Sequence, residues 1–272
     1  MPARRQRGER NKVAIRPNRM KAAMAAGKLA TSFNVNRWRS VDVAEIARAA
    51  GYEWLFLDLE HGTQSEDLAG QIAITAMALG VTPIARVGTD QFYQAARLLD
   101  AGAQGIVFPH VDDPARARQA AMATKYPPLG SRSLTSPLAQ AEFAGAADSA
   151  SMAALNGETL TIVMIETRQA LDNVEAIARV EGVDALLIGT NDLAADLGMA
   201  GKLGDDKIAA AYDRVGRACR SAGKFFGMGG VYSKDLIQRY LKAGVQFMLG
   251  GGDIGFMIEA AKARREMIRS VS

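Results

Sequence analysis

Cysteine is almost absent from this chain: Cys219 stands alone. A lone thiol excludes an intrachain disulfide framework and any zinc cluster built on thiolates. It suits a reducing compartment, so a cytoplasmic location is expected. Histidine is nearly as scarce, with only His61 and His110. No run of 18 or more apolar residues occurs, so no membrane-spanning helix is expected. Proline contributes 8 residues and charged types 23%, against 49% apolar types; that balance excludes wholesale disorder and supplies a sizeable core. No G-x-G-x-x-G follows the first candidate strand and no G-x-x-x-x-G-K-[ST] occurs anywhere, which removes the common glycine-rich phosphate loops.

Acidic residues are missing from the front of the chain. Residues 1–39 carry 11 Lys and Arg against one acid, Glu9, so the overall charge of +4 hides a mildly acidic body. The opening MPARRQRGERNK lacks the apolar stretch of a secretory signal. The expectation is a basic, solvated extension over residues 1–19 and one domain over residues 20–272. A nucleic-acid-binding tail is the other reading. No aromatic residue precedes Phe33 to stack on bases, so nucleic acid is not the expected partner.

From residue 29 onward, short β-rich apolar runs alternate with Ala-rich segments of helical spacing. The candidate strands are 29–35, 54–60, 82–87, 105–111, 159–166, 185–190, 225–230 and 245–251. Near-continuous apolar strands separated by helices predict a parallel sheet buried on both faces. Eight of them predict a (β/α)8 barrel of the TIM type, with an open doubly wound sheet as the alternative. The longer stretch 127–158 reads as a turn and helix inserted over the barrel mouth.

Chemistry in a parallel barrel gathers where the strands end. Strand two ends in Asp58, Glu60, His61 and Gly62; strand three in Arg86; strand four in Pro109-His110. Strand five ends in Glu166, strand six in Gly189, Thr190, Asn191 and Asp192, and strand seven in Gly229-Gly230. Charges at the ends of apolar strands are costly to bury unless paired or metal-bound. His61 reads as an acid/base group rather than a satisfied structural histidine. Arg86 interrupts PIARV and needs an anion, with a substrate oxygen favoured over a protein carboxylate. Glu166 and Asp192 suit a hard divalent cation with open positions, a salt bridge being the alternative. His110 reads as a supporting loop residue before a third metal ligand. No lysine lies in the C-terminal half of any strand, and Lys224 precedes strand seven at the wrong end. An imine-forming aldolase is therefore not expected, and carbanion chemistry here would need a metal as electron sink.

Six motifs occur in order: LDLEHG (57–62), PIARV (83–87), RLLDAGAQGIVFPHV (97–111), KYPPLGSRS (125–133), MIET (164–167) and VEGVDALLIGTNDLAADLG (180–198). In this combination, from about residue 20 to the end, the chain resembles the HpcH/HpaI family of class II, metal-dependent pyruvate aldolases. The resemblance implies a phosphoenolpyruvate/pyruvate-type barrel that cleaves or forms 4-hydroxy-2-oxo acids. The donor would be pyruvate or hydroxypyruvate and the acceptor an aldehyde. It implies Glu166 and Asp192 as ligands of a divalent cation (Mg, Mn or Co) that the 2-oxo acid chelates. Backbone N–H groups across Gly189, Thr190, Asn191 and Asp192 would hold the donor carboxylate, and Arg86 would stabilise the enolate. Asp100, nominated by the resemblance alone, would pair with His61 in proton handling. A hexamer built as a trimer of dimers is implied, with residues 253–271 as a candidate for an exchanged C-terminal helix.

The chain departs from the family's patterns at several points. Thr190 and Asn191 stand where G-P-A-D is common, and Met164 where Q-I-E is common. Gly229-Gly230 replaces a bulky aliphatic residue, which predicts a roomier donor pocket. TSFNVNRW replaces the usual G-x-W at strand one. Arg132 reads equally as a contact for an acceptor carboxylate or as a loop pin. Two other readings stand beside the aldolase: an acyl-CoA lyase of the citrate lyase β type, and a non-catalytic barrel that binds RNA or another anion through its basic front.

Overall fold

The eight apolar runs become eight strands. The computed structural model describes residues 13–145 and 148–271. In chain order come α1 (Arg19–Ala25), β1 (Ala30–Val35), α2 (Val43–Ala49), β2 (Trp54–Asp58), α3 (Glu66–Leu79), β3 (Thr82–Arg86), α4 (Phe92–Asp100) and β4 (Gly105–Phe108). Next are α5 (Pro114–Thr124), a 3-10 turn at Ala139–Ala141, α6 (Ser149–Glu158), β5 (Leu160–Ile165), α7 (Arg168–Asp172) and α8 (Val174–Ala178). The chain ends with β6 (Ala185–Gly189), α9 (Thr190–Asp196), α10 (Asp206–Ala222), β7 (Phe225–Gly229), α11 (Lys234–Leu241), β8 (Phe247–Gly252) and α12 (Asp253–Ser270). Each strand pairs in parallel with the next, and β8 closes onto β1, giving the (β/α)8 barrel. Several helices start where the sequence places a cap: Ser65 accepts from the Leu68 N–H, and Asp113 from those of Ala115 and Arg116.

Strand residues of alternating parity face two different cores. Leu55, Leu57, Ile106, Val163, Ile165, Leu186, Ile188 and Met228 pack in the layer beneath the helices. Trp54, Phe56, Ile84, Val107, Ile162, Met164, Leu187 and Phe247 fill the barrel itself. Burial on both faces is why the strands read as unbroken apolar runs. The Phe247 ring is accommodated by Gly227, where a methyl group would stand 2.2 Å from the ring.

The N-terminal ends of the strands are sealed by α1. Met20 and Met24 are fully buried there, and the Met20 N–H donates to Thr82 Oγ1 at the start of β3. Residues 1–12 of the expected extension lie outside the described residues. Residues 13–19 are held against this floor: the Arg16 N–H donates to the Gln140 carbonyl and Asn18 Nδ2 to those of Gln104 and Glu158.

The stretch 127–158 requires a correction. It joins α5 to β5, so it lies at the strand starts, on the opposite end from the mouth. Lys125 pins it there, donating to the Asn156 and Thr159 carbonyls and to Asp184 before β6. Tyr126, Leu138, Ala141 and Leu155 give it a small core of its own.

At the other extreme, α12 leaves the barrel. Phe256 packs on Phe33 and Tyr52, but Ile254, Met257, Ile258, Met267 and Ile268 are exposed. Among the described residues, no helix is long and apolar enough to cross a membrane.

Candidate active site

The inward parity of the strands continues to their C-terminal ends, where the apolar filling stops. Asp58, Arg86 and Glu166 then occupy inward positions at the mouth. Asp58 and Arg86 are register partners across β2 and β3, so their side chains run side by side. Arg86 Nε and Nη2 donate to the two Asp58 oxygens at 3.0 and 2.7 Å. Its Nη1 lies 3.0 Å from Glu60 Oε2, and the guanidinium carbon sits 5.2 Å from the Phe56 ring centroid. Arg86 therefore finds two protein carboxylates, the partner that the sequence reading ranked behind a substrate oxygen. Its remaining Nη hydrogens have no protein acceptor among the described residues.

Burial by itself would raise the Asp58 carboxyl. Hydrogen bonds and charge from Arg86, with the N–H groups of His61 and Glu60, outweigh it and hold the carboxyl below the usual carboxylate range. A carboxylate lowered in the folded state stabilises the protein above its unfolded value of about 3.9. That stability is lost as pH falls through the folded value. Asp58→Asn should therefore flatten the dependence of unfolding free energy on pH below about 4. An unchanged slope in that window would contradict the pairing.

Glu60, to which the sequence reading gave no role, links several groups. Besides Arg86, its oxygens lie 4.0 Å from His61 Nε2 and 4.0 Å from His110 Nε2. Its parity with Asp58 is the signal that could have found it. His61 sits just past β2 with an exposed side chain, and its N–H donates to Asp58 Oδ1 at 3.2 Å. His110 adopts the left-handed region at φ 50°, rare for a residue with a side chain. Its N–H donates to Glu166 Oε1 at 2.8 Å, and its Nδ1 lies 3.4 Å from the same oxygen.

Glu166 follows β5 and is 2% exposed. Burial raises its carboxyl, and the charges of Asp192 and Glu60 add to the rise despite the His110 N–H. A buried carboxylate crowded by two others favours a proton or a cation. Glu166 Oε2 also occupies the space over Gly189, where a methyl group would stand 2.5 Å from it. Among the described residues, no group of three or more His, Cys, Asp or Glu side chains is arranged to hold a metal. Glu166 and Asp192 could hold one as a pair, since carboxylate oxygens suit a hard divalent ion that keeps open positions.

Asp192 and Asn191 stand exposed in the first turn of α9, while Thr190 before them is fully buried. Thr190 Oγ1 donates to the Gly229 carbonyl at 2.6 Å. Side chains occupy much of the room expected beside Gly229-Gly230. A methyl at Gly229 would stand 2.9 Å from Leu249 Cδ1, and one at Gly230 would stand 2.4 Å from Asn191 Nδ2. Gly230 also has φ 81°, which suits glycine.

Asp100 is not brought to His61 of its own chain. It closes α4 at the floor end, where Arg132 Nη2 meets Asp100 Oδ1 at 2.6 Å. Arg132 lies over the Tyr126 ring, 4.6 Å from its centroid, so within this chain it pins the floor loop instead of meeting an acceptor.

The profile of the family described as HpcH/HpaI aldolase/citrate lyase matches residues 38–260. A 4-hydroxy-4-methyl-2-oxoglutarate aldolase of Chaetomium globosum is 38% identical over 250 residues, covering 90% of this chain and 92% of that protein. A hydroxypyruvate/pyruvate aldolase of Sagittula stellata is 34% identical, covering 91% and 96%. The crystal structure of an HpcH/HpaI aldolase from Desulfitobacterium hafniense superposes with a TM-score of 0.86 at 26% identity, covering 92% of this chain and 96% of that one. A family match of this extent, with aldolases among its relatives and a barrel of the same shape, makes the chain a carbon–carbon lyase belonging to the HpcH/HpaI aldolase/citrate lyase family.

Proposed function

We propose that this enzyme is a class II aldolase that cleaves or forms 4-hydroxy-2-oxo acids, with pyruvate or hydroxypyruvate as donor and an aldehyde as acceptor. The observation that carries the reading is the crowding of Glu166 by Asp192 and Glu60 at the mouth, beside a buried arginine that still has free hydrogens. Glu166 and Asp192 would hold a divalent cation, Mg, Mn or Co. When bound, the cation supplies positive charge for the donor's oxygens and acts as the electron sink that the absent lysine would otherwise provide.

In the cleavage direction, His61 takes the proton of the C4 hydroxyl, directly or through water. The C3–C4 bond breaks, the aldehyde leaves, and its former bonding pair becomes the enolate of the donor. Negative charge collects on the former keto oxygen, against which the free Nη hydrogens of Arg86 are preorganised. Asp58 and Glu60 fix the guanidinium so that no reorientation is needed as charge develops. Return of a proton to C3 releases the 2-oxo acid. Backbone N–H groups from Gly189 to Asp192 hold the donor carboxylate.

The family's pairing of Asp100 with His61 can form here only between subunits, because the two lie at opposite ends of one barrel. We therefore read the enzyme as an oligomer, a hexamer of three dimers, with the exposed apolar side chains of α12 as exchanged contacts. His61→Ala and Asp100→Asn proteins, each impaired alone, should regain activity when co-assembled, since mixed interfaces restore one intact pair. Absence of any recovery in co-expressed, purified hetero-oligomers would count against a shared site.

The function itself is tested with a panel of aldehydes and either donor, followed by product mass. Turnover should vanish with EDTA and return with Mg or Mn. Borohydride with pyruvate should leave the protein unlabelled; stable labelling would show an imine and overturn the reading. Cleavage of CoA thioesters without aldol turnover would favour the acyl-CoA lyase. We place the enzyme in the cytoplasm, acting on small molecules and not on nucleic acid.

A further inference from the structure

Two stacked tyrosine rings and the hydroxyls of Tyr212 and Thr190 link the outer helices to the mouth. Tyr240 in α11 donates to the Leu203 carbonyl, and its ring stacks on Tyr212 in α10 with centroids 3.8 Å apart and planes 7° from parallel. The Tyr212 hydroxyl lies 2.7 Å from Thr190 Oγ1. Thr190 has one hydroxyl hydrogen, and the Gly229 carbonyl at 2.6 Å can only accept it. The Tyr212 hydroxyl must therefore be the donor to Thr190. Burial pushes the Tyr212 phenol far up, so that hydrogen stays in place at any ordinary pH. All three side chains are buried.

This chain sits at a weak point of the backbone. Gly189 precedes Thr190, and Gly229-Gly230 ends the neighbouring strand, so glycine flanks the turn on both sides. Asp192 is carried in the first turn of a helix of only 7 residues, with its own side chain exposed. A proline at the first helical position would fix φ through its ring, and Thr190 stands there without one. Here the two hydrogen bonds of the Thr190 side chain tie the start of α9 to β7 and α10 instead.

We propose that the Thr190 hydroxyl, clamped between Tyr212 and the Gly229 carbonyl, is a positioning device that holds Asp192 where it can share a divalent ion with Glu166. The inference rests on the metal reading above and adds to it the residue that sets the second ligand. The Thr190 hydroxyl acts through Asp192 and touches neither ion nor donor.

The test is Mn(II) affinity, measured from the electron paramagnetic resonance of free Mn(II), together with the melting temperature. Thr190→Val removes the hydroxyl at constant shape and should weaken Mn(II) binding about tenfold, the scale for groups that orient a ligand. Thr190→Ser should keep affinity close to wild type. A Thr190→Pro/Tyr212→Phe double variant replaces the clamp with a ring and removes the orphaned phenol, and should recover most of the affinity lost in Thr190→Val. Tyr240→Phe removes the donor to Leu203 and should lower the melting temperature with Mn(II) affinity unchanged. The proposal is overturned if Thr190→Val binds Mn(II) as wild type does. It is equally overturned if Tyr240→Phe loses affinity to the same extent, since affinity would then merely follow stability. A wild-type protein that takes up no Mn(II) would remove the metal reading itself, and this inference with it.

Discussion

Replacement of Glu166 by Gln should leave the fold intact and abolish metal-dependent cleavage. The amide keeps the size of the side chain and can still accept from the His110 N–H. What it removes is a charge buried against Asp192 and Glu60. A carboxylate whose proton is held tightly by burial and like charges gains nothing in stability from being ionised. The melting temperature should therefore hold or rise. In the proposed site the ion, in contrast, would lose one of its two protein ligands. Lewis-acid stabilisation amounts to several kcal/mol, and about 1.4 kcal/mol is tenfold in rate. Turnover should fall by roughly three orders of magnitude or more. Calorimetric titration of Mn(II) beside steady-state cleavage separates the two effects. A Gln variant that still binds the ion and turns over near the wild-type rate would refute the role given to Glu166.

Arg86→Ala should damage both stability and rate. Removing the guanidinium strands Asp58 and Glu60, two largely buried carboxylates that it holds at 2.7–3.0 Å. Breaking a buried pair by deleting one partner costs about 3–5 kcal/mol. Loss of one preorganised donor to a developing oxyanion costs a further factor of about 10²–10³ in turnover. Arg86→Lys distinguishes the two roles. A lysine restores positive charge, so much of the stability should return. It cannot reproduce the fork that grips both Asp58 oxygens and reaches Glu60, so the rate should recover much less. Denaturant unfolding and single-turnover cleavage on the three proteins provide the comparison. A Lys variant with wild-type turnover would show that charge alone suffices and that the clamp on the guanidinium has no part in catalysis.

The barrel was legible because burial on both faces leaves a strong mark: Trp54 to Asp58 or Leu160 to Ile165 can hardly be read otherwise. The rim was legible for the same reason, since Asp58, Arg86 and Glu166 break apolar runs at the point where filling ends. What the sequence hid was the end of the barrel to which a segment belongs. The stretch 127–158 carries mouth-like polar residues, yet its place between α5 and β5 dictates the floor. Asp100 is subject to the same rule, since a residue closing α4 cannot reach the end of β2 in the same chain. The grip of Asp58 and Glu60 on Arg86 stayed hidden because spacing shows that a cation is buried but not which anion lies across the next strand. Spacing also did not show that Leu249 and Asn191, distant in sequence, stand beside Gly229 and Gly230.

Trp54, Phe56, Met164 and Phe247 pack the barrel solid above Met20 and Met24, and this has a kinetic consequence. A site seated on a solid floor has a single doorway. In the proposed reaction the 2-oxo acid lies against the buried Arg86 and Glu166 and the aldehyde toward the exposed His61, so the two should follow a strict queue. In synthesis the keto acid enters first; in cleavage the aldehyde departs first and the keto acid last. Product-inhibition patterns should accordingly be competitive only for the partner that meets the empty enzyme.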